Sequence, residues 1–406
     1  MGNQIKCSWM SLKLNSPYVM GSITLMSSVN ISAHINYYKK ICALGAGAIV
    51  LPSVNPKAHN YADNNSSFVE SLMIDTGLDQ NKMGFALLGP TSPNIISLEY
   101  GLELASRLKR EIRGAPILAS IANLGNEKEI IEAVCQISKT GIDGIELNFS
   151  CPNIKIKSKQ DNHLTIELLR NIRKITKLPI SLKLTPFDDY SAIMNSLNGE
   201  IDGLTLSNAY IGLIPPRLNN IHYSPFKQRE DWAPCGVYGP FEKPLTFYRL
   251  FSYFEIAKTK HLSVACSGGI VSVDDAVQAI LLGADVVQFS SAIAWNGVDF
   301  FLDSNTFLIN YLKENNYCDI NSIKGTAIPY IKQNVDELQF SSKRKKMKVN
   351  PRKCKKCKKC SCCDRLCIAI SQNTKGTVII NNDLCNGCRW CYFMCKYGAI
   401  VEDNYT

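Results

Sequence analysis

The chain has 406 residues, of which 46% are hydrophobic and 20% charged, and it carries a formal net charge of +10. That length suits one large domain plus something small, and the composition is that of a globular chain with a sizeable core. No apolar run approaches the roughly 18 residues of a membrane-crossing helix, and the N-terminal MGNQIKCSWMSLKLN lacks the apolar stretch of a secretory signal, so a cytoplasmic protein is expected.

From the N-terminus to about residue 340 a short β-branched or apolar run alternates with a longer amphipathic stretch. The runs are YVMGSI (18–23), GAIVL (47–51), PILASIA (116–122), GIELNFS (144–150), PISLKLT (179–185), GLTLSN (203–208), LSVACSGG (262–269) and ADVVQFSS (284–291). Helical patterns such as IIEAVCQISKTG (130–141) and VDDAVQAILLGA (273–284) lie between them, each meeting a glycine near its C-terminal end. Eight buried strands alternating with helices predict a parallel (β/α)8 TIM barrel over residues 1–340, with an open doubly wound sheet as the alternative. A further run, MGFALLG (83–89), reads as an excursion or a ninth strand. In such a barrel the chemistry gathers where strands end. Those ends carry Gly21 and Ser22, Ser120, Asn148 with Cys151, Lys183, Ser207 with Asn208, Gly268 with Gly269, and Ser290 with Ser291.

The rest of the chain differs in kind. Residues 341–406 hold 15 Lys and Arg against 4 Asp and Glu, and 10 of the 17 cysteines. Residues 341–356, SSKRKKMKVNPRKCKK, read as a basic linker, with a small cysteine-rich domain at 357–406. Cys357, Cys360, Cys363 and Cys367 have the spacing C-x2-C-x2-C-x3-C, and Cys385, Cys388, Cys391 and Cys395 repeat it. This is the signature of a ferredoxin with two [4Fe–4S] clusters, in which the fourth cysteine of each run serves the other cluster. It predicts Cys357, Cys360, Cys363 and Cys395 on one cluster and Cys385, Cys388, Cys391 and Cys367 on the other. Cys354 and Cys362 are surplus. A competing register, Cys354, Cys357 and Cys360, places Asp364 where the fourth cysteine belongs, so the first register is preferred. Ile368 and Lys396 stand where such ferredoxins usually have proline. The lysines read as a solvated run that tunes the clusters and docks an acidic redox partner, with nucleic-acid binding as the other reading. The five histidines show no metal-ligand spacing.

The segments ELNFSCPN (146–153), SLKLTP (181–186), LSN (206–208), GGI (268–270) and QFSSA (288–292), in that order, resemble the FMN barrel of the dihydroorotate dehydrogenase and dihydropyrimidine dehydrogenase group. The resemblance spans residues 10 to 300, and GVYGPFEKP (236–244) is similar to the Gly-x-x-Gly segment before the phosphate-binding strands. A fused two-cluster ferredoxin is the arrangement of the dihydropyrimidine dehydrogenases. The resemblance implies FMN held by Gly21, Ser22, Lys183, Gly268, Gly269, Ser290 and Ser291, with the Lys183 cation near the flavin N1–C2 region. It implies substrate binding by Asn94, Asn148, Asn153 and Asn208, whose amides suit pyrimidine carbonyls and ring N–H groups. Cys151 matches the general acid/base that exchanges a proton at C5 while hydride passes between flavin N5 and C6.

The expected function is therefore an FMN- and iron–sulfur-dependent oxidoreductase acting on the C5–C6 bond of a pyrimidine, as a dihydropyrimidine dehydrogenase-like catalytic subunit. A dihydroorotate dehydrogenase is the alternative, followed by a tRNA dihydrouridine synthase-like enzyme and a non-catalytic electron-transfer subunit. Three departures bear on the substrate. Pro52 stands where the family has a lysine, Ala209 where the dihydropyrimidine branch has threonine, and Asn153 where that branch has histidine. No glycine-rich dinucleotide fingerprint follows a strand and opens a helix. Electrons are thus expected to come from a separate flavoprotein subunit or ferredoxin, in a homo- or hetero-oligomer.

Overall fold

The computed structural model describes residues 3–23, 30–56, 71–75, 84–88, 95–122, 126–149, 165–187, 189–213, 216, 218, 220–222, 234–339, 345–357 and 367–403. The chain divides into two units, Met1–Ile331 and Lys332–Thr406. In the first, all eight apolar runs become strands: β1 (Tyr18–Met20), β2 (Ala48–Val50), β3 (Ile117–Ala122), β4 (Gly144–Asn148), β5 (Ile180–Lys183), β6 (Gly203–Leu206), β7 (Ser263–Ser267) and β8 (Val286–Phe289). Each pairs in parallel with the next, and β8 returns to β1 through Val287↔Tyr18, Gln288↔Val19 and Phe289↔Met20. The sheet is a closed barrel, so the open doubly wound alternative is excluded.

Helices α1 (Ile31–Ala43), α2 (Leu98–Glu111), α3 (Glu127–Ser138), α4 (Ile166–Ile175), α5 (Ser191–Ser196), α6 (Lys243–Thr259), α7 (Val273–Leu281), α8 (Ser291–Asn296) and α9 (Phe300–Glu314) connect or follow the strands. Their starts are written locally. Asn126 and Glu129 form a capping box on α3, and Ser272 and Asp275 form one on α7. The apolar stripes, such as Leu104, Ala105 and Leu108 of α2 or Ala133, Val134 and Ile137 of α3, are fully buried in the main core.

Three additions surround the barrel. A hairpin, Cys7–Trp9 with Leu12–Leu14, packs Trp9, Met10 and Leu14 against Val19, Ala48, Val50, Leu118, Ala265 and Val286. It thereby plugs the barrel at the N-terminal ends of its strands. Ser53–Asn55 runs parallel to Ile95–Ser97 and touches β3 through Val54↔Ile121. The run at 83–89 is an excursion and not a ninth barrel strand. Gly84–Leu88 joins an antiparallel sheet in the order Tyr210–Gly212, Cys235–Tyr238, Gly84–Leu88, Ser71–Asp75.

The second unit corrects the linker expected at 341–356. Its residues Met347–Val349 form β9, paired antiparallel with β12 (Ile400–Glu402), and Met347 is buried. One apolar side chain in a charged run is enough for this, because its lysines keep their charged ends in water: Lys348 pairs with Asp403 at 3.0 Å. A second hairpin joins β10 (Ile370–Gln372) to β11 (Val378–Ile380). The described core is Met347, Ile370, Val378 and Ile400, one residue from each strand. A short helix, α10 (Trp390–Met394), lies between β11 and β12.

Candidate active site and cluster cavities

Side chains alternate along a strand, so positions two apart share a face. Inside the barrel this rule stacks two polar layers. The lower contains Ser120, Glu146, Ser181, Thr205 and Gln288, all buried. Glu146 is fully buried at its centre. Its carboxylate accepts from Ser120 Oγ (3.3 Å), Thr205 Oγ1 (3.0 Å) and Gln288 Nε2 (3.0 Å), and Lys183 Nζ lies 3.8 Å away. Three donors and a cation offset the cost of keeping that charge from water.

Two positions further along the strands are Asn148, Lys183, Ser207, Ser267 and Ser290. They line one pocket with Ser22, Ser53, Asn208, Tyr238, Glu242, Gly268 and Ser291. The amides are held in place. Asn208 Nδ2 donates to Asn148 Oδ1 (2.9 Å), and Asn148 Nδ2 donates to Ser53 Oγ (2.9 Å). The Ser53 hydroxyl shares hydrogen bonds with those of Ser22 (3.2 Å) and Ser120 (2.9 Å), which ties the pocket to the layer beneath. Of the cofactor and substrate residues expected from the sequence, the structure thus gathers Ser22, Asn148, Lys183, Asn208, Gly268, Ser290 and Ser291.

The others divide into two groups. Gly21 does not itself line the pocket but adjoins Ser290, which does: a Cβ on Gly21 would stand 2.4 Å from Ser290 Oγ. Gly269 packs against α6 instead of facing the pocket. At φ +75° a Cβ there would meet Lys243 N at 2.1 Å, so it permits close approach of two backbones. Cys151, Asn94 and Asn153 lie outside the described residues. Sequence reading missed Ser53, Glu146, Gln288 and Glu242. Glu146 and Gln288 stand two residues before Asn148 and Ser290, a signal that strand periodicity contained.

Glu242 opens α6 from the segment GPFEKP and is 1% exposed. Burial pushes its carboxyl up from 4.5 to about 8, against the backbone N–H groups of Gly239, Tyr210 and Gly269 and the Lys183 charge. Its Oε1, like Ser207 Oγ, has no hydrogen-bond partner among the described residues. Beneath it, Lys243 holds Asp275 at 2.6 Å, and Asp275 accepts from Val271 N (3.1 Å) and Ser272 N (2.9 Å). This fixes the loop that carries Gly268 and Gly269.

The pocket fits a flavin. Two orphaned polar atoms, Glu242 Oε1 and Ser207 Oγ, and the buried Lys183 cation line it at the C-terminal ends of barrel strands, a donor set that suits a polar ligand. In the second unit, Cys367, Cys385, Cys388 and Cys391 line a cavity of about 370 Å³ with Met347, Ile370, Ile380 and Trp390. Cys354, Cys357 and Cys395 line another with Val349, Val378 and Ile400. Among the described residues no three metal-ligating side chains converge on a single ion site. Thiols spread around an apolar cavity suit a multi-iron cluster. Cys360 and Cys363 lie outside the described residues.

A barrel with a flavin-compatible pocket at its strand ends, followed by a cysteine-rich unit, defines an oxidoreductase of the iron–sulfur flavoprotein class. Residues 24–310 match the family model described as dihydroorotate dehydrogenase, and residues 378–401 match the 4Fe-4S binding domain. The chain belongs to the dihydroorotate dehydrogenase family and carries an iron–sulfur domain. It is 28% identical over 219 residues to the catalytic subunit of dihydroorotate dehydrogenase B (NAD(+)) of Endomicrobium trichonymphae, covering 52% of this chain and 67% of the relative. The corresponding subunit of Pyrococcus horikoshii is 27% identical over 263 residues, 59% of this chain and 81% of the relative. The chloroplastic dihydropyrimidine dehydrogenase (NADP(+)) of Arabidopsis thaliana is 23% identical over 356 residues, 84% of this chain and 80% of the relative. The protein is thus an enzyme acting on CH–CH groups. No helix among its described residues is long and apolar enough to cross a membrane.

Proposed function

We propose that this chain moves hydrogen to or from the C5–C6 bond of a pyrimidine, as a dihydropyrimidine dehydrogenase-type catalytic subunit with FMN in the barrel and two [4Fe–4S] clusters in the second unit. The observation that carries the reading is the polar pocket of Lys183, Asn148, Asn208, Ser207 and Glu242, on a chain that also supplies two thiol-lined cavities. Bound flavin would supply hydride exchange at C6 and the clusters one-electron transfer.

The chain's own residues do the rest. Asn148 and Asn208, locked to each other and to Ser53, present amide groups in fixed orientations to the substrate's carbonyls and ring N–H groups. Lys183, backed by Glu146, would supply the positive charge that stabilises an anionic reduced flavin. Gly268, Ser290 and Ser291 offer backbone and hydroxyl donors to a phosphate. Cys151, three residues beyond Asn148, gives or takes the proton at C5. The names of the relatives describe catalytic subunits, which supports electron exchange with a separate protein.

A second reading, dihydroorotate oxidation, is favoured by the names of two of the relatives above and by Asn153. Anaerobic assay of the holoprotein with uracil, thymine and dihydroorotate against one-electron dyes separates the two. Turnover of dihydroorotate alone replaces the first reading with the second. Turnover of none removes both substrates, and released flavin other than FMN removes the cofactor assignment.

A further inference from the structure

The second unit is an internal repeat, and its symmetry determines which cysteines correspond. Strand β9 matches β11 and β12 matches β10: Val349 pairs with Ile400 as Ile380 pairs with Ile370. The turn after each strand is the same. Asn350 N donates to Ala399 O (2.6 Å), and Asn381 N donates to Ala369 O (2.7 Å). Inside each turn, Arg352 N donates to Asn350 Oδ1 (3.0 Å) as Asp383 N donates to Asn381 Oδ1 (2.9 Å). Each turn then closes on a cysteine: Cys354 N donates to Asn350 O (3.1 Å) and Cys385 N to Asn381 O (3.0 Å). Two residues later both backbones turn left-handed, Lys356 at φ +50° and Gly387 at φ +75°. A lysine holds that conformation only where its surroundings impose it.

One constant offset therefore superposes Cys354 on Cys385 and Cys357 on Cys388, and by sequence Cys360 on Cys391. The cavities agree. Cys354 and Cys357 line one with Cys395, as Cys385, Cys388 and Cys391 line the other with Cys367. Equal x2 spacings made both registers readable in the sequence. The x3 gap before Cys367 favoured starting at Cys357, whereas the constant offset of the two described turns pairs Cys354 with Cys385.

The structure assigns Cys354 as a ligand of the first iron–sulfur cluster, with Cys357 and Cys395, in place of Cys363. This rests on the two-cluster reading above. A cluster-bound thiolate is no longer a free nucleophile, so wild-type holoprotein tests the assignment without any substitution. Anaerobic alkylation with iodoacetamide followed by peptide mass mapping should leave Cys354, Cys357, Cys385, Cys388, Cys391 and Cys395 unmodified and label Cys363 along with the exposed thiol Cys318. After iron is chelated, Cys354 should label at least tenfold faster. Labelling of Cys354 in the holoprotein overturns the assignment, as does protection of Cys363 in place of or beside Cys354. Iron content separates this from failure of the underlying reading. About eight irons per chain accompany two clusters, whereas about four, with Cys357 labelled too, overturns the two-cluster reading and the assignment together.

Discussion

The barrel and the second unit solve the same problem with different materials. The barrel buries a continuous apolar core from Ile5 to Ile323 and can keep Glu146 inside because four other strands supply it with partners. In the second unit the described core is four side chains, Met347, Ile370, Val378 and Ile400. Packed against it are Cys354, Cys367, Cys385, Cys391 and Cys395. Thiols occupy positions that aliphatic side chains fill in the barrel. Burial scales with size, so a small unit needs a staple, and on the proposed reading bound iron–sulfur is that staple. The barrel's stability would then reside in its chain and the second unit's in its metal.

The largest effect expected of this difference is on iron removal. Chelation under mildly oxidising conditions should open Lys332–Thr406 to protease while the barrel keeps its secondary structure, as limited proteolysis with mass mapping would show. Joint loss of both units, or of neither, breaks the contrast. Next is Cys151→Ala, which should lower turnover about 10²- to 10⁴-fold with flavin absorbance and iron content unchanged. Unaltered steady-state rates would make Cys151 a bystander. A third test concerns the barrel's polar layer. Lys183→Met leaves the buried Glu146 carboxylate without its cation and should cost roughly 3 kcal/mol in urea unfolding of the barrel, part of it recovered by adding Glu146→Gln. An equal cost in the double variant would uncouple the pair.

The last effect is a slope. Glu242 holds its proton in the folded barrel up to about pH 8, whereas in the unfolded chain it loses it near its ordinary value of 4.5. Folding therefore takes up a proton between those values, and this group makes the barrel less stable as pH rises from 4.5 to about 8, by at most about 1.4 kcal/mol per pH unit. Glu242→Gln should flatten that part of the pH–stability curve of the flavin-free protein. An unchanged curve would mean that Glu242 is ionised when folded.

Most of the barrel was legible because its signals are local. Eight apolar runs separated by capped amphipathic stretches became eight strands, and the residues at their ends converged as barrel geometry requires. Legibility failed where one residue outweighed its neighbours' average. Met347 anchors a strand within a stretch whose charge reads as a linker, and Gly269 serves helix packing where a glycine pair suggests a phosphate. Glu242 stands in a segment read for its glycines, and nothing beside it in the sequence announces that it is buried.

The sequence by itself determined the alternation of strand and helix, the positions of the strand ends and the two clusters of cysteines, because periodicity, caps and short spacings are carried by neighbouring residues. Tertiary structure alone decided that β8 closes on β1 and that Glu146 meets Gln288 and Thr205 across the interior. It also decided that Glu242 is dry and that Cys354 stands where Cys385 stands in the other half. Each of these depends on residues far apart in the chain being brought together, and such contacts leave no local pattern to read.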